Sequence, residues 1–137
     1  MAEFKDFTSI CNSAPSEFLS TLALRNRDKI VRRNRKIIAE NIEICNHFFS
    51  NHADLFNWTA PKGESTAFPS FKKAVDVEKF CIDLVNQQGV LLLPGSYFDY
   101  GKQNFRIGLG RRNLPECLDR LDTYLKTSAL DSVMYSI

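Results

Sequence analysis

The clearest pattern in the chain is a helical one. From Asn26 to about Asn51, Ile30, Asn34, Ile37, Ile38, Asn41, Cys45, Phe48 and Phe49 recur at three- and four-residue steps and so share one face. No glycine or proline interrupts the run. It predicts a single helix of about 25 residues, about 37 Å long at the usual rise. That length suits a helix joining two bodies better than one inside a small domain. Ahead of it, Asn12-Ser13-Ala14-Pro15-Ser16 breaks the chain. Proline disfavours a helical residue before it, so Ser16 is the expected N-cap, with Glu17 in the first turn. A helical stretch through Phe18, Leu19, Leu22 and Leu24 follows.

Beyond the long helix the period changes. Residues 55–59 (LFNWT) read as a short strand, Pro61-Lys62-Gly63 as a turn, and residues 66–71 (TAFPSF) as a second strand, near an edge because of Pro69. Asp76 is placed to cap a helix whose inner face is Val77, Phe80, Cys81, Leu84 and Val85, and Gly89 to end it. Val90-Leu91-Leu92-Leu93 reads as a strand buried on both faces, turned out of the core by Pro94-Gly95-Ser96. In residues 105–110 (FRIGLG), alternation puts Phe105, Ile107 and Leu109 on one face and Arg106, Gly108 and Gly110 on the other. A last helix opens at Asn113, with Leu114, Cys117, Leu118, Leu121 and Leu125 as its apolar positions. The pattern predicts an α+β fold (α/β two-layer), with a small, mostly antiparallel sheet covered by helices and one long helix leading in.

Composition changes little in this picture. With 137 residues, 44% of them hydrophobic and 25% charged, the chain fits one globular domain. A net charge of +2 is too small to imply nucleic acid or an anionic membrane. Cys11, Cys45, Cys81 and Cys117 are widely separated, without a CxxC pair. They read as reduced thiols, mostly on apolar helix faces, which points to a reducing compartment. No secretory leader and no membrane span is evident, so the expected location is cytoplasmic.

Three groups of residues could carry chemistry. The basic run Arg25, Arg27, Lys29, Arg32, Arg33, Arg35 and Lys36 is either a phosphate-binding face or, more simply, a solvated flank of the apolar stripe. His47 and His52 are five apart and have no third ligand near, so they read as exposed residues at a helix end rather than metal ligands. Arg106 sits mid-strand with two glycines on its own face. Its planar fork fits a carboxylate through two parallel hydrogen bonds, and pattern alone leaves open whether that carboxylate belongs to a ligand or to this chain.

Taken in order, APSEFLSTLALRNR, RRNRKII, FNWTAPKGESTAFP, DVEKFCIDLVNQQGVLLLPGSYF, NFRIGLGR and NLPECLDRLDTYL resemble the C-terminal third of class I/II (fold type I) pyridoxal-phosphate (PLP)-dependent aminotransferases, from about Phe7 to Leu125. The resemblance implies the end of a large domain and an interdomain segment at residues 1–20 and the small domain at 21–126; residues 127–137, which show no strong period, read as a flexible tail. It implies that Arg106, on its FR(I/L) strand after the Pro94-Gly95 turn, grips the α-carboxylate of an amino-acid substrate. Phe68 matches a position that faces the substrate, and Asn12 and Ser13 a stretch near the dimer-related active site. Glu64 departs from the glycine common after the PKG turn. PLP, its Schiff-base lysine and the other catalytic groups are expected in the large domain of a homodimeric parent, not in this chain. The parent would move an amino group between an amino acid and a 2-oxo acid. The rival expectation is a stand-alone binding domain using the basic helix, or a different reaction on the same fold.

Overall fold

The computed structural model describes residues 13–127. Its elements are helices α1 (Ala14–Arg25) and α2 (Arg27–Asn51), strands β1 (Phe56–Asn57), β2 (Thr66–Ala67) and β3 (Ser70–Phe71), and helix α3 (Val77–Gln88). Strand β4 (Leu93–Pro94), a 3-10 turn (Gly95–Phe98), β5 (Phe105–Gly108) and α4 (Leu114–Lys126) complete it. The expected α+β architecture is present: four helices with small antiparallel sheets. The chain divides into two compact units, Met1–Arg35 and Lys36–Ile137, with the boundary inside α2.

In the first unit α1 starts earlier than the sequence suggests. Ser13, not Ser16, stands at its N-cap, and Pro15 lies in the first turn, where its missing N–H costs nothing. Asn26 stops the helix by folding its side-chain amide back onto the Leu22 carbonyl at 2.9 Å. The large apolar residues described in this unit, Phe18, Leu19, Leu22, Leu24, Ile30 and Val31, are exposed. The apolar stripe of α2 is therefore buried only from Asn41 onward, at Asn41, Cys45, Phe48 and Phe49, although it begins at Ile30.

The second unit has one core. Phe56, Phe71, Phe80 and Phe105 pack with ring centroids 4.8–5.8 Å apart, and Tyr124 joins them through Phe80. Such aromatic contacts, edge-on or tilted, stabilise beyond the area they bury. Helix α3 is closed at both ends: Asp76 accepts from the Lys79 backbone N–H at 3.0 Å, and Gly89 takes the left-handed conformation at φ 66°. Asn113 stands at the N-cap of α4 but makes no cap bond to the backbone; its side chain reaches Cys117 Sγ instead.

The strands depart most from expectation. The stretch at 66–71 is two strands, not one. Phe68 and Pro69 separate β2, which pairs antiparallel with β5, from β3, which pairs with β1. Proline cannot donate to a ladder, but the Pro69 carbonyl still accepts the Phe105 N–H at 3.1 Å, so one ribbon serves two sheets. Pairing at 55–59 shrinks to Phe56–Asn57. The run Val90–Leu93 is not buried on both faces: Val90 and Leu92 point inward, while Leu91 is 72% exposed, and pairing with β5 starts only at Leu93. Val85, expected on the inner face of α3, is also exposed. Strand order in the larger sheet is β2-β5-β4, so β5 is central and β2 lies at an edge, as Pro69 implied.

Candidate functional site

Strand β5 positions the site. Phe105 and Ile107 are fully buried, which obliges Arg106 between them to face the other way. The register pairing Ala67 with Ile107, and Ser70 with Asn104, sets Phe68 opposite Arg106 on that same face. On the other side Leu93 is the cross-strand partner of Arg106. A β-carbon added at Gly108 would meet nothing within 4 Å, so space beside the guanidinium along its own strand is open.

The loop after the Pro94-Gly95 turn closes the site. The guanidinium carbon of Arg106 lies 5.3 Å from the centroid of the Phe98 ring. Phe68 packs edge-on against Phe98 at 5.6 Å and at a tilt against Tyr100 at 5.0 Å. The loop is tightly wound: the Tyr100 N–H donates to the Gly95 carbonyl at 3.0 Å, and the Gly95 N–H to the Asn104 carbonyl at 2.7 Å. A β-carbon on Gly95 would fall 2.2 Å from the Tyr100 carbonyl oxygen, so only glycine fits there. The Asn104 amide ties the same loop to the Phe68 carbonyl at 3.2 Å.

Arg106 is half-buried, and its guanidinium carries no hydrogen bond or ion pair to any described residue. Its π contact with Phe98 satisfies the charge partly but consumes none of the in-plane N–H donors. The structural salt bridge that the sequence left open is therefore not made among the described residues. Arg106 and Phe68 are brought together. Ser13 is exposed ahead of α1, and Asn12 lies outside the described residues. Sequence reasoning did not single out Phe98 and Tyr100. The signal available was the density of aromatic residues in PGSYFDYG, a loop otherwise made of turn-forming residues.

The other candidates take ordinary places. The basic residues from Arg25 to Lys36 are exposed, with ion pairs Arg27–Asp28 at 3.2 Å and Lys36–Glu40 at 3.8 Å. His47 is exposed as expected, but His52 is not. Its Nε2 lies 3.0 Å from Asp122 Oδ1, and its ring packs on Phe48 at the wall of a cavity of about 450 Å³. The hydrogen bond from Lys126 holds the Asp122 carboxyl below the usual carboxylate range, with His52 adding to the effect. Among the described residues no group of three or more His, Cys, Asp or Glu side chains could hold a metal ion.

This fold is that of part of the PLP-dependent aminotransferases. In particular, the chain is similar to a PLP-dependent aminotransferase from Streptococcus suis, at 29% identity and a TM-score of 0.81 over 90% of this chain. It matches the PLP-dependent cyclase OrfR equally well, at 26% identity and 0.81 over 90%. For the aspartate aminotransferase of Thermotoga maritima, at 22% identity and 0.72 over 91%, the likeness is one of fold. The chain spans about one third of the length of these structures (33%, 35% and 32%). No protein-family model and no curated protein sequence matches it.

The residues around Arg106 do not form a seat for PLP. Phe68, Leu93, Phe98 and Tyr100 offer no amine for a Schiff base. Elsewhere Lys72 is bound to the Ala53 carbonyl and Lys126 to Asp122, while Lys62, Lys73 and Lys102 stand exposed. What this face offers is one cation in an aromatic setting, suited to an organic carboxylate.

Proposed function

We propose that this chain is the C-terminal, substrate-clamping domain of a PLP-dependent aminotransferase, with Arg106 as the receptor for the substrate α-carboxylate. The observation that carries this reading is the unpaired guanidinium of Arg106, held on a ring face with its fork free. Phe68 and Tyr100 would shield the carboxylate from water and so strengthen the contact. PLP and its lysine would come from the remaining two thirds of a longer protein, bounded near residue 20. That protein would be a cytoplasmic homodimer acting on an amino acid and a 2-oxo acid, and Asn12 and Ser13 would lie toward its dimer-related site. Movement of this domain onto the substrate would orient the carboxylate and exclude water.

The test is substitution of Arg106 in the complete enzyme. Arg106→Ala is expected to lower kcat/KM for the amino acid by about 2–5 kcal/mol, the cost of truncating one partner of a buried charged contact. Arg106→Lys, which keeps charge but loses the fork, is expected to fall between. Wild-type kinetics in both variants refute the assignment. A second reading, a different reaction on the same scaffold, is favoured by the likeness to a cyclase. Product analysis with a 2-oxo acid as amino acceptor separates the two, because only a transaminase returns a new amino acid.

A further inference from the structure

We propose that Phe98 is a positioning residue, holding the Arg106 guanidinium ready for a carboxylate without occupying any of its donors. The inference rests on the reading of Arg106 as a carboxylate receptor. A long arginine side chain without an ion pair samples many rotamers, and a receptor that must first be ordered binds more weakly than one already in place. Most proteins order such a side chain with an acidic partner, but a carboxylate of the chain itself would compete with the ligand. A ring face avoids that conflict. It attracts the cation from above, and the N–H groups, which lie in the guanidinium plane, stay available at its edge.

The geometry is built for this. Arg106 stands 5.3 Å above the Phe98 centroid. Phe98 would be a loose support alone, being 41% exposed, but Phe68 braces it edge-on at an interplanar angle of 84°. Tyr100 also packs against Phe68, at 5.0 Å. The turn that presents Phe98 is fixed at its root, where the Gly95 N–H and carbonyl bond Asn104 and Tyr100. Strand and loop thus deliver cation and ring separately, each from a rigid base.

Two measurements test this. In the full chain labelled with nitrogen-15, the Arg106 Nε–H resonance is expected to be displaced by the ring current. Phe98→Leu should return it to the position of exposed arginines, and Phe98→Tyr should keep it displaced. In the complete enzyme, Phe98→Leu is expected to raise KM for the amino acid roughly five- to thirtyfold, the range a cation–π contact covers as it is desolvated. Its kcat should change by less than about twofold, as for loss of ground-state binding. Phe98→Tyr should restore KM, and the rate with a primary amine lacking the α-carboxylate should not move. A Leu variant with unchanged KM, beside an Arg106→Lys variant whose KM rises, overturns the role of Phe98 and leaves that of Arg106 standing. If KM is unchanged in both, the carboxylate receptor itself is refuted, and the positioning role falls with it.

Discussion

Asn41 is a buried polar side chain in the core, and removing it gives a sharp test of how the second unit is held together. It lies 4% exposed on the stripe of α2. Its amide donates at 2.8 Å to the carbonyl of Leu109 and at 2.8 Å to that of Arg111, just past the strand that carries Arg106. Asn41→Leu keeps the branched outline of the side chain, with somewhat larger tips, and removes both donors. The Leu109 carbonyl, left dry, is expected to cost about 1–3 kcal/mol, while that of exposed Arg111 can recruit water and loses only about 0.5–1.5 kcal/mol. The sum is a destabilisation of about 1.5–4.5 kcal/mol. Urea unfolding followed by circular dichroism measures it, with an unchanged m value as the sign that only stability moved. Asn41→Asp at neutral pH should be worse, since it places an anion against two carbonyl oxygens. A loss below about 0.5 kcal/mol for the leucine variant, the range of ordinary surface changes, would refute the reasoning.

Three further outcomes are expected. Gly95→Ala must displace the Tyr100 carbonyl from 2.2 Å, so it should destabilise the chain by about 1–3 kcal/mol and shift the Arg106 Nε–H resonance; the tight turn is contradicted if both stability and resonance stay unchanged. The Tyr124 hydroxyl is buried and has no hydrogen-bond partner among the described residues, so Tyr124→Phe should be neutral or stabilising by up to about 2 kcal/mol in the same unfolding assay. Burial pushes the thiols of Cys45 and Cys81 up to about 12 from 9.0, with Glu78 adding to the shift at Cys81, and burial chiefly pushes Tyr124 up to about 12 from 10.0. Folded values above unfolded ones mean stability that is whole below pH 9 and is lost as pH rises toward 12. The limiting slope is roughly 1.4 kcal/mol per pH unit for each group, and a flat urea midpoint between pH 8 and 11 would contradict it.

The helices were legible because their burial follows their period. Asp76 and Gly89 marked the ends of α3, and Phe105, Ile107 and Leu109 fixed both the strand and the outward direction of Arg106. Two-residue strands carry no such period. Nothing in TAFPSF says that pairing passes from one sheet to another at Phe68-Pro69, because that switch is set by β1 and β5, which are distant in sequence. The apolar run at 90–93 is ambiguous for a related reason: hydrophobicity alone does not fix burial, and Leu91 faces outward. Early burial of the long helix was overestimated in the same way, at Ile30. In the site, alternation found Arg106, but Phe98 and Tyr100 sit on an irregular loop where no periodicity says which way a side chain points.

The burial of Phe105 and Ile107 on either side of Arg106 constrains how this surface can diversify. Sliding β5 by one residue would turn a charged side chain into the core and two large apolar ones out of it. The arginine is therefore a fixed point, and a change of ligand preference has to come from what surrounds it. Residue 68 and the segment from Ser96 to Tyr100 are the natural places. Phe68 stands opposite Arg106 in register, Phe98 lies under its guanidinium, and Ser96, Tyr97, Phe98 and Tyr100 are exposed. Libraries randomised there should keep the fold and alter selectivity, whereas those randomised at Phe105 or Ile107 should yield mostly unfolded protein.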